Sequence, residues 1–190
     1  MEQAWRDWGG VVLAALAGLP LLVLATAELA RRRRDAATAG ESWRRSVAEV
    51  GALAGTLPWV WMILTPRDAP REVDLVPLRD LADLLTGPAA TAVVQVVGNL
   101  LVFAALGFFA PVRLPALAGL GRLFLLGAAG SVLVESLQYA LDLGRVSSVD
   151  DVLLNATGAA LAGLLSRRWW AGRWAAAPGR PVAAPATPRG

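Results

Sequence analysis

The 190-residue chain contains no cysteine, no histidine and no lysine. Without Cys or His, disulfides and the common zinc sites are excluded, and a metal could be held by oxygen ligands alone. No imidazole is available as a general base. Charge is also scarce, at 17% of residues against about 25% in soluble domains, while hydrophobic residues reach 56%. What remains is a composition suited to lipid. The calculated isoelectric point of 10.8 would fit a nucleic-acid partner, but the Arg residues cluster at the ends of apolar runs. That is the pattern of membrane anchoring, so no nucleic-acid partner is expected.

Five apolar runs approach the ~17–25 residues that span the hydrocarbon core. They cover Gly10–Ala30, Val47–Thr65, Ala89–Val112, Gly119–Leu141 and Val149–Leu165. Pro20 and Pro58 fall inside the first two, where membrane helices tolerate kinks. The first run is too long for a signal-peptide core and has its Arg cluster on the wrong side, so it reads as a retained helix. Placing Arg31–Arg34 in the cytoplasm puts thirteen Arg residues inside and five outside. The fold class that follows is an all-α integral membrane protein. It is a bundle of about five transmembrane helices, with the N-terminus outside and the C-terminus cytoplasmic.

Residues 1–46 form the first helix and an Arg-rich cytoplasmic linker, and residues 47–168 the main membrane domain. Residues 169–190 are a Trp/Arg segment and a Pro/Ala-rich tail of disordered composition. Residues 66–88 form an external loop in which a short interfacial helix starts near Leu78. No internal repeat is visible, which counts against an inverted-repeat transporter.

The stretch Ser131–Gly158 holds most of the chemistry. It sets Glu135 and Gln138 inside the fourth run and Arg145, Asp150, Asp151 and Asn155 where the fifth begins. A charged side chain at the bilayer centre costs at least ~2.5–3.5 kcal/mol, and such residues usually serve a function. Glu135 and Gln138 are three apart and share a helix face, as do Asp151 and Asn155, four apart. At ~1.5 Å per residue Glu135 lies roughly 9 Å and Gln138 roughly 5 Å below the outer end of their helix. Asn99 lies roughly 15 Å into the third, with Gln95 one turn above it. The short connection 142–149 makes the fourth and fifth helices antiparallel neighbours, which brings these groups together.

Each residue also has a structural reading. Ser147-x-x-Asp150 and Ser148-x-x-Asp151 both fit a capping box, so one Asp is assigned to capping and Asp151 to a site. Arg145 anchors the interface, pairs with Glu135 or Asp151, or binds a phosphate. Asn99 and Asn155 hydrogen-bond across helices. Gly107, Gly158 and Gly163 allow close helix packing.

The pattern Asn99-x-x-x-Phe103-x-x-x-Gly107, Glu135-x-x-Gln138, then Gly144-Arg145 and Asp150-Asp151-x-x-x-Asn155-x-x-Gly158 resembles the VanZ-like membrane family. Thr65-Pro66 and Asp74-Leu75-Val76-Pro77 add to the likeness, which spans about residues 57–165, although Asp74 stands where the family more often has Asn. The resemblance implies a multi-pass protein of the bacterial plasma membrane, tied to teicoplanin resistance, and it supplies no reaction. Its ligand-binding candidates are Asn99, Glu135, Gln138, Arg145, Asp150, Asp151 and Asn155. Three functions stay open. The first is a pocket for a lipid-linked cell-wall precursor or envelope partner. The second is acid/base catalysis by Glu135 and Asp151, and the third a scaffold in which polar residues only lock helices. Beyond the lipid bilayer itself, no metal or cofactor is expected.

Overall fold

The computed structural model describes residues 2–34, 38–68 and 72–175. The tail after residue 175, Arg71, Arg180 and Arg189 lie outside the described residues. The five apolar runs are helical. They correspond to α1 (Glu2–Arg32), α2 (Ala39–Ile63), α4 and α5 (Ala89–Val102 and Ala104–Arg113), α6 (Leu120–Ala140) and α7 (Val149–Leu165). Between them stand the short α3 (Arg79–Thr86) and, after α7, α8 (Arg167–Ala175). Residues 39–63, 89–113 and 120–140 are long and apolar enough to cross a membrane. Helix α7, at 17 residues, falls just short of that length, and α1 has 31 residues. Helices α1 and α2 run through Pro20 and Pro58 without interruption.

Packing joins α6 to α7, α2 to α5, and α5 and α4 to α7, with α1 laid against α2. The buried centre is Val102, Phe103, Val134 and Ala159, flanked by Trp59, Val60, Ile63, Leu64 and Leu106. Small residues bring these backbones unusually close. A Cβ on Gly158 would sit 1.9 Å from the Leu100 carbonyl oxygen, and one on Gly107 would sit 2.0 Å from that of Ala159. This is the close approach expected of Gly107 and Gly158. Gly163 faces Leu123 and the Gly107 carbonyl in the same way.

Two features depart from a plain helical bundle. The third run is not one helix but breaks at Phe103, with φ −110° and ψ 11°. The break lies between the two closest backbone contacts, Leu100 with Gly158 and Gly107 with Ala159, so one straight helix need not serve both. The second is a two-stranded parallel sheet, which the all-α reading lacked. Strands β1 (Glu72–Asp74) and β2 (Val146–Ser148) pair Glu72 with Val146 and Asp74 with Ser148. Backbone bonds from Arg67 N–H to the Leu143 carbonyl (2.9 Å) and from Glu72 N–H to that of Arg145 (3.4 Å) lead into it.

The two ends of the bundle differ. At one, the end of α1, the first half of α2 and the end of α5 meet through Glu49. Its carboxylate accepts from Arg33 at 2.7 Å and from Arg113 at 2.5 Å. Arg44 reaches the Trp169 carbonyl there (2.9 Å), and Trp170 is buried against the end of α7, donating to Gly163 and Ser166. The opposite end gathers the C-termini of α2 and α6, the start of α7, the sheet and α3. It is this end that holds the polar cluster.

Candidate functional site

Asp150 and Ser148 set the geometry. Ser148 is the residue before α7, and its hydroxyl accepts the Asp150 N–H at 3.1 Å, so Ser supplies the expected cap. The Asp150 carboxylate, 3% exposed, does not turn back on its own helix. It accepts the N–H of Leu78 at 2.5 Å and of Leu81 at 2.9 Å, so it caps α3 from across the fold. Leu78 precedes α3 at φ 64°, a conformation costly for a branched-chain residue and held here by that carboxylate. The short helix beginning at Leu78 thus stands where expected, and Asp150 is the residue that pins it. Asp150 does not line the cleft described below.

Gln138 and Arg145 close the C-terminus of α2. Helix ends leave carbonyls without partners, and these two side chains supply donors. Gln138 donates through Nε2 to the Ile63 carbonyl at 2.7 Å. Arg145 donates through Nη2 to the carbonyls of Met62 and Thr65, both at 3.1 Å, and through Nε to Thr65 at 3.2 Å. Arg145 therefore has a specific partner, but the partner is backbone carbonyl rather than a carboxylate. Burial, and then the neighbouring Arg67, pull its guanidinium below the usual value, while Glu135 and Asp151 oppose that pull.

Asn99 on α4 donates to Asp151 Oδ1 on α7 at 2.5 Å, and Asn155 donates to Ser131 Oγ on α6 at 2.8 Å. Both amides thus cross between helices, as expected. Glu135 sits between these levels on α6. Its backbone carbonyl accepts the Ser147 hydroxyl at 3.3 Å, and its carboxylate has Asp151 and Arg145 as charged neighbours.

These groups line one open cleft of about 710 Å³ between α2, α4, α6 and α7. Six of the seven candidates face it: Asn99, Glu135, Gln138, Arg145, Asp151 and Asn155. Glu135 and Asp151, the two candidates for acid/base work, share its wall. Arg67, Asp80, Thr91 and Gln95 join them, with Trp59, Met62 and Ile63 forming an apolar side. Arg67 and Asp80 were not singled out as site residues, because nothing local in the segment between the second and third runs tells which charges fold back over a cleft. Three oxygens in the wall are buried and without a hydrogen-bond partner: Glu135 Oε2, Gln138 Oε1 and Asn155 Oδ1. Asp74 stays outside the cleft, where its Oδ1 accepts the Val76 N–H at 2.8 Å. That role needs only an acceptor, which Asn also provides. Among the described residues no group of three or more carboxylates is placed to chelate a metal.

The residues that build this cleft are those of a known pattern. A family model described as VanZ/LLP1 matches residues 53–170, well over half the chain. The chain belongs to this VanZ-like family. The match runs from the middle of α2 into the first turn of α8, and so covers every residue that lines the cleft. No curated protein and no solved structure shows significant similarity to it. The family, together with the three long apolar helices, marks a membrane protein.

Proposed function

We propose that this VanZ-like protein spans the bacterial plasma membrane five times, with its N-terminus outside and its C-terminus in the cytoplasm. The cleft then opens outward and binds a polar group of a lipid-linked or cell-wall-related molecule, and so contributes to glycopeptide resistance. The Arg distribution supports this orientation, since the cleft lies opposite the end that carries Arg33, Arg44 and Arg113. One observation carries the binding reading. Six polar residues from three helices and a loop converge on one cleft, although each is costly to keep near lipid. A scaffold role accounts for Asp150 and Arg145, whose polar atoms are spent on backbone, but it leaves Glu135 Oε2, Gln138 Oε1 and Asn155 Oδ1 buried without partners. Acid/base catalysis by Glu135 and Asp151 ranks below binding, because no nucleophile motif accompanies them.

The test is teicoplanin susceptibility in a host that expresses wild type beside Glu135→Gln, with membrane abundance measured for both. Glu135→Gln at equal abundance should lose the protection that wild type gives. Equal protection by both proteins would contradict the reading.

A further inference from the structure

The three unpartnered oxygens say which chemistry the cleft accepts. Gln138 is 6% exposed, and its orientation is fixed by its neighbour: the Ile63 carbonyl can only accept, so Nε2 must face it and Oε1 must point away. Asn155, 3% exposed, turns Nδ2 to Ser131 and leaves Oδ1 open. Glu135 Oε2 completes the set. All three are acceptors. A buried acceptor without a donor costs about 1–3 kcal/mol, more where the group is charged, so the site is poised for a ligand that brings donors.

Two of the donors in the cleft wall are already committed. Arg145 spends Nε and Nη2 on the end of α2, and Asn99 spends its amide on Asp151. The ionisable side chains of the wall are Asp80, Glu135 and Asp151 against Arg67 and Arg145, a formal excess of one negative charge. A phosphate or carboxylate would bring further acceptors and further negative charge to this wall. A primary ammonium brings three N–H donors and the missing positive charge.

Resting on the reading of the cleft as a ligand site, we infer that the cleft recognises a primary ammonium group, with Glu135 as its counter-ion and Gln138 and Asn155 as neutral acceptors. Such a group reaches the membrane surface either on an aminolipid headgroup or on a free amine-bearing molecule, and the chemistry is the same.

The experiment uses the full chain in phosphatidylcholine nanodiscs, following thermal stability in titrations with ethylammonium, tetramethylammonium, ethanol and inorganic phosphate. Ethylammonium should stabilise the protein with an affinity about 10- to 100-fold above that of ethanol or tetramethylammonium, the range of one charged hydrogen bond. Tetramethylammonium carries the charge without N–H donors and separates the two contributions. Glu135→Gln should lose that preference, while its unliganded stability reports whether it folds. Replacing phosphatidylcholine by phosphatidylethanolamine should raise stability and weaken ethylammonium binding if the source is lipid; unchanged ethylammonium binding assigns the group to a free amine. Stabilisation by phosphate in preference to ethylammonium, or no preference for ethylammonium over tetramethylammonium, would overturn the inference. If that happens while Glu135→Gln still loses protection against teicoplanin, the ammonium inference falls and the binding site stands; if Glu135→Gln also protects fully, both fall.

Discussion

Gly158→Ala tests the packing that holds the cleft in shape. The added Cβ would lie 1.9 Å from the Leu100 carbonyl oxygen, 2.6 Å from its carbon and 2.8 Å from its Cα. Carbon–oxygen contacts settle at about 3.3–3.6 Å, so α4 and α7 must separate by roughly 1.5 Å. No flexible side chain is in the way that could yield, since every obstacle is backbone. Helix α7 has little room to retreat, because Ala156 and Ala159 press on Gly127 of α6, where a Cβ would already be 2.9 Å from both. Overpacking costs about 1–3 kcal/mol, and a backbone obstacle points to the upper end. At roughly 2–4 °C per kcal/mol for a chain of this size, Gly158→Ala should melt about 6–12 °C lower. The same separation would stretch the 2.5 Å Asn99–Asp151 bond, one residue from Leu100, beyond hydrogen-bonding range. The assay is thermal unfolding in detergent, with Gly121→Ala as control because nothing lies within 4 Å of its Cβ position. Equal melting temperatures for the two variants would refute the close-packing account.

Two further substitutions separate structural from binding roles. Asp150→Asn keeps one acceptor where two N–H groups of α3 are now bound, so α3 should loosen and residues 78–86 should exchange amide protons faster, with loss of about 1–3 kcal/mol of local stability; unchanged exchange would remove Asp150 as the anchor. Arg145→Gln removes the donors on the Met62 and Thr65 carbonyls, so it should lower the melting temperature by several degrees, roughly the value of one or two charged hydrogen bonds. A variant as stable as wild type would show that the α2 end does not depend on it.

The sequence was most readable where apolar length alone decides the outcome. Five runs became helices, and for the three long and apolar enough to cross a membrane lipid leaves the backbone no other way to satisfy its polar groups. The short helix from Leu78 and the packing role of Gly158 were legible too, from amphipathic spacing and from small residues four apart. The cleft was legible in part. Glu135 with Gln138, and Asp151 with Asn155, follow from spacing on one helix face, and the short connection between their helices brings the pairs together. The partners of Arg145 and Gln138 were not, because carbonyls at the end of α2 leave no signature in side chains. Nor was the reach of Asp150 across 69 and 72 residues to α3, which local capping rules do not encode. Strands of three residues and the break at Phe103 arise from tertiary contacts and carry no periodic signal. Nothing local marks Glu49 as the residue on which Arg33 and Arg113 meet.

The absence of cysteine makes the central claim, an outward-facing open cleft, directly measurable. A single Cys replaces Gln95, an exposed residue of the cleft wall, and a second variant places it at Ala116, an exposed residue near the opposite end. Intact cells are treated with a membrane-impermeant maleimide. Gln95→Cys should be labelled in intact cells, and Ala116→Cys only after the membrane is opened. Labelling of Ala116→Cys in intact cells, with Gln95→Cys protected until permeabilisation, would contradict the account.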